Sequence, residues 1–235
     1  MDDLQKIVVL TGAGISAESG IKTFRDNNGL WENHRVEDVA SPEGFQRDPE
    51  LVYRFYNLRR QQLVSPDLKP NKAHYDLANF AKEFAGELII VTQNIDDLHT
   101  RAGSKDVIHM HGELLKAECL SCGGISEIRT DFDASTNCLS CGKAGGLRPH
   151  IVWFGEMPLR MDEIFHHLST CDMFAAIGTS GHVYPAAGFV EAAGQHGAKT
   201  IEINMERSLV HSAFDQGYYG PATEQVVKWI DDLNL

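Results

Sequence analysis

The sequence predicts an α/β fold: a parallel sheet with helices on both faces, plus a small inserted subdomain. Three observations support this prediction. Short apolar runs alternate with helical patterns, a glycine-rich turn directly follows the first run, and two cysteine pairs occupy a segment without a long apolar run. The turn makes the expected sheet Rossmann-like, and the cysteine spacing makes the insertion a zinc-ribbon subdomain. The 235 residues are enough for one such domain with its insertion.

Short apolar runs, each followed by polar or glycine residues, predict the buried parallel strands at 6–11, 88–92, 174–177 and 200–203. Helical patterns predict helices at 49–64, 72–84, 161–168, 186–196 and 223–233. Residues 20–48 show little periodicity, so we expect a long ordered loop there, of the kind that is usually functional in a compact domain.

Composition limits the classes of function. A formal charge of -12 repels phosphate backbones, so we expect no direct nucleic-acid binding. The sequence has no run of about 18 apolar residues and no secretory signal, so we expect a cytoplasmic protein without a membrane span. Five cysteines, an odd number, argue against a disulfide framework, and Cys171 in its apolar context is predicted to be a small core residue.

The strongest single motif is the cysteine quartet of Cys119, Cys122, Cys138 and Cys141. Fifteen residues separate the two C-x-x-C pairs, a spacing typical of four-cysteine zinc ribbons. Four protein ligands leave no open position for water, so we predict one structural zinc rather than a catalytic one. Glycines beside each pair supply the backbone freedom that such turns need. The alternative, four unligated thiols, fits this spacing poorly.

A second motif, Gly12-Ala13-Gly14-Ile15-Ser16-Ala17, follows the first predicted strand. Glycines there let the backbone approach a pyrophosphate, and the next helix N-terminus favours the anion. The alternative is an ordinary glycine turn. A dehydrogenase would continue with a helix, a strand and an acidic residue about 20 positions on, and this sequence does not. Dinucleotide binding is therefore predicted without hydride-transfer architecture.

Two polar motifs follow later. Gln93, Asn94 and Asp96 come at the end of a predicted strand, where α/β folds bind ligands, although Asn and Asp also cap helices. His109 and His111 would share one side of a strand by alternation. A histidine in a cleft can act as a general base near neutral pH, but a lone histidine is more often structural.

Taken together, these motifs resemble those of the sirtuin family. They occur in the family's order along nearly the whole chain: Gly12 to Ser16, Gly20-Ile21-x-Thr23-Phe24-Arg25, Gln93 to Asp96, His111-Gly112, the paired cysteines, Gly178-Thr179-Ser180 and Ile203-Asn204. Residues 148–156 and Tyr56-x-x-Arg59 resemble the class III branch, in particular bacterial CobB-type enzymes. Lys22 stands where many relatives have Pro. Pro would stiffen the cofactor loop, so the sequence leaves the geometry of this loop undetermined.

The resemblance implies an NAD-dependent protein-lysine deacylase, both deacetylase and desuccinylase, that releases nicotinamide and O-acyl-ADP-ribose. It implies a Rossmann-like NAD-binding catalytic domain at 1–115 and 149–235, in which 20–80 includes the cofactor loop and a helical insertion, and a zinc-binding subdomain at 116–148. His111 and Asn94 would be catalytic, with His111 as general base on the ribose hydroxyls. NAD would contact Gly12, Ala13, Gly14, Ile15, Ser16, Thr23, Phe24, Arg25, Trp31, Gln93, Asn94, Ile95, Asp96, Gly178, Thr179, Ser180, Asn204 and Ala222.

The same resemblance implies partners: acetyl- or succinyl-lysine proteins, such as metabolic enzymes of the acyl-CoA synthetase kind. Val152, Trp153, Phe154 and Gly155 would pair with the substrate backbone as an added strand. Two other functions stay open on the residues: a mono-ADP-ribosyltransferase and a non-catalytic NAD-sensing interaction module. The presence of His111, Asn94 and Asp96 disfavours the latter.

Tyr56 and Arg59 are predicted to recognise acidic acyl groups. They lie three residues apart in a predicted helix whose apolar stripe is Leu51, Phe55 and Leu58, so they share a face. A guanidinium and a phenol hydroxyl suit the distal carboxylate of a succinyl- or malonyl-lysine. On the residues alone, a surface arginine beside a half-buried tyrosine, with Arg60 as a decoy, is the simpler interpretation, and the resemblance favours recognition.

Overall fold

The secondary structure comes from a computed structural model that describes residues 4–22, 30–31 and 34–233. The strands are β1 (Lys6–Thr11), β2 (Leu30–Trp31), β3 (His34–Arg35), β4 (Glu87–Thr92), β5 (Ile108–His109), β6 (Gly112–Cys119), β7 (Ile125–Glu127), β8 (Leu147–Ile151), β9 (Met173–Ile177), β10 (Lys199–Asn204) and β11 (Gln216–Tyr219). The helices are α1 (Ala13–Ser16), α2 (Val36–Val39), α3 (Pro42–Arg47), α4 (Pro49–Leu63), α5 (Lys72–Glu83), α6 (Leu98–Ala102), α7 (Met161–Thr170), α8 (Phe189–Gln195) and α9 (Ala222–Asp232).

Six strands form one parallel sheet in the order β11-β10-β9-β1-β4-β5. Numbered along the chain within this sheet, the order is 3-2-1-4-5-6, which is that of the Rossmann fold. The order reverses between β1 and β9, and a crevice for a ligand is expected there, outside the carboxyl ends of the strands. The predicted Rossmann-like sheet is confirmed.

Apolar cores lie on both faces of this sheet. On one face, α5 and α9 contribute Leu77 and Trp229 to a cluster with β-strand residues such as Ile7. On the other face, α7 and α8 contribute Leu168 and Val190, together with Cys171. Cys171 is buried, as its apolar context predicted. The strands are apolar on both sides because helices cover both faces of the sheet.

A smaller antiparallel sheet, β7-β6-β8, carries the cysteine-rich segment. Strand β6 leads from the larger domain into the cysteine-rich segment, and β8 leads back from it. The predicted division at 115/116 and 148/149 falls inside these two strands, and it remains a proposal in which β6 and β8 belong to both units.

The structure differs from the sequence prediction in several elements. The expected loop at 20–48 contains two short helices, α2 and α3, and the two-residue pair β2–β3, while residues 23–29 and 32–33 lie outside the described part of the chain. Helix α3 begins with Pro42, and Ser41 caps it by accepting a hydrogen bond from Gly44 N–H. Elements of four to six residues are too short to show periodicity. The helix expected at 186–196 is a 3₁₀ turn followed by α8.

Helix α4 also corrects the predicted apolar stripe. Leu58 is 59% exposed, whereas Tyr53, Tyr56 and Arg60 are buried. The buried face therefore carries polar-tipped side chains, which an apolar pattern does not detect.

None of the helices within residues 4–22, 30–31 and 34–233 has the length and apolar character of a membrane span.

Candidate active site

The glycine-rich turn after β1 touches the turn after β9 at the point where the strand order reverses. Gly14 N–H donates to Gly178 O at 3.0 Å, and Gly12 N–H donates to Ile177 O at 3.0 Å. A Cβ atom on Gly14 would lie 2.6 Å from Gly178 Cα, so no larger residue fits. The helix expected to hold the anion, α1, is a single turn. The close backbone approach, rather than a long helix dipole, is the feature suited to a pyrophosphate.

Asn94, Asp96 and Ser16 form one buried hydrogen-bonded group beside this turn. Asn94 Nδ2 donates to Gly12 O at 3.1 Å and to Ser16 Oγ at 3.2 Å, and Ser16 Oγ donates to Asp96 Oδ2 at 3.0 Å. Asp96 Oδ1 accepts from Leu98 N–H at 3.0 Å, where α6 begins. Asp96 thus accepts from the first backbone N–H of α6 as well as belonging to the site, although the N-cap position itself is Asp97. Burial raises the pKa of Asp96 to about 6, although the hydrogen bonds from Leu98 and Ser16 oppose that shift.

His111 lies next to the end of β4, in a turn. Since β5 ends at His109, the expected strand alternation of the two histidines does not apply. His111 Nδ1 lies 3.1 Å from Gln93 O, and a carbonyl only accepts, so Nδ1 carries the proton and Nε2 the lone pair. Burial lowers the pKa of His111, partly offset by the bond to Gln93, so the ring is neutral at pH 7.

A further group of predicted cofactor residues lies at the ends of β9 and β10. Asn204 Nδ2 donates to Thr179 O at 2.6 Å, and both residues are buried. Ser180 Oγ accepts from His182 N–H at 3.3 Å. Ala222 begins α9, and the neighbouring Thr223 donates from N–H and Oγ1 to Glu18, just after the glycine-rich turn. Predicted cofactor residues from five segments of the chain therefore reach one edge of the sheet: the glycine-rich turn, Asn94 with Asp96, Thr179 with Ser180, Asn204 and Ala222.

The remaining predicted cofactor residues differ in position. Thr23, Phe24 and Arg25 lie outside the described residues. Ile15 is fully buried in the core beneath the sheet, so its backbone rather than its side chain belongs to the turn, whereas Ala13 is half-buried. Ile95 packs against the cluster around α4. Trp31 packs edge-to-face against Phe55 and Tyr56, with centroid distances of 4.9 and 6.0 Å, beside the predicted acyl site.

The four cysteines meet in a geometry that fits zinc. Their Sγ atoms all lie within 4.8 Å of one another. Cys119 Sγ lies 3.8 Å from Cys141 Sγ, and Cys122 Sγ lies 3.8 Å from Cys138 Sγ. A tetrahedron with Zn–S bonds of about 2.3 Å has edges of about 3.8 Å. Each pair sits in the same sequence, Cys-Leu-Ser-Cys-Gly, whose glycines, Gly123 and Gly142, have φ of +68° and +73°. Zinc would hold this module together and leave no coordination site for catalysis.

Helix α4 docks the cysteine module through polar side chains. Tyr53 Oη donates to Leu147 O at 2.6 Å, and Asn57 Nδ2 donates to Phe132 O at 2.9 Å. Arg60, which the sequence left as an alternative to Arg59, is fully buried. Its Nε donates to Leu114 O at 3.2 Å, and its guanidinium lies 4.7 Å from the centre of the Phe132 ring. Burial lowers the pKa of Arg60 to about 10.

Tyr56 and Arg59 lie on the neighbouring side of α4. Tyr56 is fully buried rather than half-buried, and its Oη accepts a hydrogen bond from Trp153 Nε1 at 2.9 Å. The half-buried Arg59 donates from Nη1 to Phe55 O at 2.7 Å, and its guanidinium lies 3.8 Å from the centre of the Phe55 ring. The structure thus brings the predicted pair to one place together with Trp153.

The predicted substrate segment continues from the end of β8. Val152 N–H donates to His111 O, and Phe154 N–H donates to Ala40 O, both at 3.0 Å. Pairing with a substrate strand is therefore left to the other backbone groups of the segment. Phe154 is 51% exposed, and Gly155 is exposed with φ of +91°. The bond between Val152 and His111 ties this segment directly to the predicted base.

Sequence reasoning did not single out the polar residues behind the site. His74 is fully buried, its Nε2 lies 3.5 Å from Ser16 Oγ, and its Nδ1 lies 3.1 Å from Asn71 Oδ1. Burial lowers the pKa of His74 to about 4. The spacing of Asn71 and His74, a reciprocal cap at the start of α5, was the available signal. His150, without an assigned role, lies 3.4 Å from Glu118 across the smaller sheet.

The fold and the site together define a dinucleotide-binding α/β protein with an inserted four-cysteine module. The family model described as the Sir2 family matches residues 12–185. Because this match covers most of the chain, the protein belongs to the Sir2 family.

Similar proteins agree with this assignment. A protein of Yersinia pestis, named NAD-dependent protein deacylase, is 58% identical over 97% of this chain and 82% of its own length. One of Escherichia coli K12 with the same name is 57% identical over 97% of this chain and 82% of its own length. Among solved structures, a Sir2 homologue–NAD complex has a TM-score of 0.88 and 37% identity, covering 99% of this chain and 90% of the other. A complex of Sir2 with a p53 peptide and NAD+ has a TM-score of 0.80 and 29% identity, covering 99% and 95%.

We expect Cys138→Ala to lose zinc and unfold the module, because metal-binding energy is folding energy in a segment with so little core. Structural zinc sites contribute roughly 10 kcal/mol or more, so stoichiometric binding should disappear. Metal content by mass spectrometry and hydrogen exchange of β6 and β8 measure the two effects. Cys171→Ala, at a buried cysteine outside the cluster, is the matched control and should keep one zinc per chain. A Cys138→Ala protein that retains zinc and full activity contradicts the assignment.

Proposed function

We infer that this protein is an NAD-dependent protein deacylase acting on acyl-lysine side chains. The observation that carries this inference is the meeting of Asn94, Asp96 and His111 with the glycine-rich turn at the carboxyl edge of a Rossmann-ordered sheet. Relatives at 57–58% identity bear the name NAD-dependent protein deacylase. Bound NAD supplies a ribose carbon that becomes electrophilic as nicotinamide leaves. The chain's own residues bind, orient and move protons around it.

We assign His111 as the general base of the reaction. The bond from Nδ1–H to Gln93 O fixes the tautomer, so Nε2 is the nitrogen that accepts a proton. Asn94 is held between Gly12 O and Ser16 Oγ, which fixes its amide for contact with the co-substrate. The Asp96 carboxylate accepts a hydrogen bond from the same Ser16 hydroxyl group. These hydrogen bonds orient the polar groups before any ligand binds, and such pre-organisation is what a reacting group requires.

The substrate assignment follows from the segment after β8. Residues 152–155 lie between His111, through the Val152 bond, and the loop before α3, through the Phe154 bond. An acyl-lysine peptide added along this segment would bring its side chain towards the base. Acylated metabolic enzymes of the acyl-CoA synthetase kind are the partners that we propose. A cytoplasmic location is proposed with them, since an odd number of cysteines with four in a metal cluster suits a reducing compartment.

The acyl specificity proposed for the protein includes carboxylate-bearing groups. Arg59 is half-buried, and partial burial strengthens its interaction with an anion relative to water. Tyr56 lies on the same side of α4 as Arg59, and its phenol hydroxyl group can donate a second hydrogen bond. A succinyl or malonyl carboxylate can accept from both. An acetyl group has no such carboxylate and depends on neither.

We expect the wild type to release nicotinamide and deacylated peptide in equal amounts, and His111→Ala to slow both by roughly a hundredfold with little change in NAD affinity. The reason is that the variant loses proton transfer but keeps the binding edge. Chromatography of both products, with calorimetry for NAD, makes the measurement. His150→Ala, at a histidine on β8 paired with Glu118, is the control and should retain turnover. Normal turnover by His111→Ala contradicts the role, and nicotinamide release without deacylated peptide contradicts deacylation.

A second expectation concerns pH. Burial lowers the pKa of His111 below the ordinary value of about 6.5. The neutral ring is the active form, so activity is present above that lowered pKa and lost as the pH falls through it. The ring proton of His111 should therefore titrate below pH 6.5 in an NMR titration, with His111→Ala identifying the signal. Titration at or above 6.5 shows that burial does not control this group.

For acyl specificity, we expect Arg59→Met to reduce desuccinylation about ten- to a hundredfold relative to deacetylation. A charge-assisted hydrogen bond is worth roughly 1.5–3 kcal/mol, and only the succinyl substrate makes it. The efficiency ratio for matched succinyl and acetyl peptides is the quantity to measure. Arg54→Met makes the same substitution at an exposed position of α4 and should leave the ratio unchanged. An unchanged ratio in Arg59→Met removes this site.

A further inference from the structure

Tyr56 holds a buried hydroxyl group with a proton that it does not donate to any residue in the described ranges. The residue has no exposed surface. Its Oη accepts the hydrogen bond from Trp153 Nε1 at 2.9 Å, and this is its one hydrogen bond within the described chain. An indole N–H can only donate, so the phenol oxygen must be the acceptor in this bond. Buried donors without acceptors are rare in folded proteins because they are costly, so an acceptor supplied by a ligand accounts for this one.

Trp153 is held in place on several sides. The Arg148 guanidinium lies 3.6 Å from the centre of the Trp153 ring. Arg148 in turn forms a two-bonded ion pair with Glu156, at 2.6 and 2.9 Å, and the Glu156 carboxylate accepts from Trp153 N–H at 2.8 Å. Trp153 is 2% exposed. Stacking, backbone anchoring and burial thus fix the direction from which the indole N–H approaches Tyr56.

The hydroxyl group of Tyr56 is a permanent donor. Burial raises the pKa of Tyr56 far above its ordinary value, against the opposing effects of the Trp153 bond and of Arg148 and Arg59. The phenol therefore keeps its proton throughout the range in which the enzyme works. With the indole occupying a lone pair of the oxygen, the proton is directed elsewhere, and the Arg59 charge acts on the same phenol.

We propose that Trp153 is a specificity-positioning residue: its indole N–H holds Tyr56 Oη as an acceptor and thereby directs the Tyr56 proton to the carboxylate of an acidic acyl group. This proposal rests on the function proposed above for Tyr56 and Arg59. A carboxylate oxygen only accepts, so it satisfies the proton that the chain leaves unused. Without the indole donor, the hydroxyl group can rotate and its bond to the ligand weakens. Trp153 acts through Tyr56 and needs no contact with the carboxylate.

The test is Trp153→Phe, which keeps an aromatic ring for Arg148 to stack on and removes the N–H. The efficiency ratio for succinyl over acetyl peptides should fall about fivefold, the scale of one neutral hydrogen bond. The loss should appear in KM for the succinyl peptide, since positioning affects binding of its carboxylate. In a Tyr56→Phe background, Trp153→Phe should produce no further change in the ratio. Full additivity of the two substitutions overturns the proposal, because it means that Trp153 acts independently of Tyr56.

Trp229→Phe is the matched control. Trp229 is also a buried tryptophan, 1% exposed, but it lies on α9 and its Nε1 has no hydrogen-bond partner among the described residues. The same change of indole to phenyl there should leave the ratio unaltered. If Trp153→Phe does not fold, 3-benzothienylalanine at position 153 keeps the bicyclic ring without the N–H, and the same fall in the ratio is expected. An unchanged ratio in the folded variant overturns the proposal.

The outcomes separate this proposal from the function on which it rests. If Arg59→Met lowers the ratio and Trp153→Phe does not, the acyl site stands and the positioning role of Trp153 is wrong. If neither changes the ratio, the acyl site itself is wrong and the Trp153 proposal fails with it. If both lower the ratio and Tyr56→Phe abolishes the effect of Trp153→Phe, the coupling between indole and phenol is established.

Discussion

The backbone contact between Gly14 and Gly178 sets the geometry on which the rest of the site depends. It joins the turns after β1 and β9, where the chain crosses to opposite faces of the sheet, and a single added carbon on Gly14 would collide with Gly178. Because neither turn has a side chain at the contact, neighbouring polar side chains can reach the backbone of both. Asn94 donates to Gly12 O, and Asn204 donates to Thr179 O. The two halves of the proposed co-substrate site thus lie around the same contact.

Helix α4 joins the cysteine module to the proposed acyl site. One side of the helix, with Tyr53, Asn57 and Arg60, donates hydrogen bonds to backbone carbonyls in and next to the cysteine module. Tyr56 and Arg59 lie on the neighbouring side of the same helix. The Arg60 guanidinium is fully buried, so it depends on acceptors such as Leu114 O on β6. A zinc that takes no part in catalysis can still matter for activity, because β6, which presents Leu114 O to Arg60, ends at Cys119 of the cysteine cluster.

Sequence patterns predicted the elements that are long and regular and missed those that long-range packing defines. The strands at 6–11 and 88–92 agree with β1 and β4 within a residue, since their apolar runs are continuous. The helix at 49–64 agrees with α4 within a residue, since Pro49 marks its first turn. Strand β5 has two residues, too few to show a pattern. Leu58 fitted an apolar stripe that the structure turns outward, because aromatic and guanidinium groups fill the buried face instead.

The candidate site was predictable in composition and less so in its hydrogen bonds. The cysteine spacing alone indicated the metal cluster, and the order of the motifs placed His111 and Asn94 in one site. Trp153 and Tyr56 are 97 positions apart, so no spacing rule connects them. Burial then determines the chemistry. It keeps His111 neutral, raises the pKa of Asp96 to about 6 and keeps Tyr56 protonated. Excluding water suits a neutral base and a neutral acyl group. Burying the carboxylate of an acidic acyl group costs free energy, so that carboxylate needs a nearby cation and a directed hydrogen-bond donor. In the function proposed above, Arg59 and the Tyr56 hydroxyl are the groups that α4 offers for these two roles, and they would let a buried site accept a carboxylate-bearing acyl group as well as a neutral one.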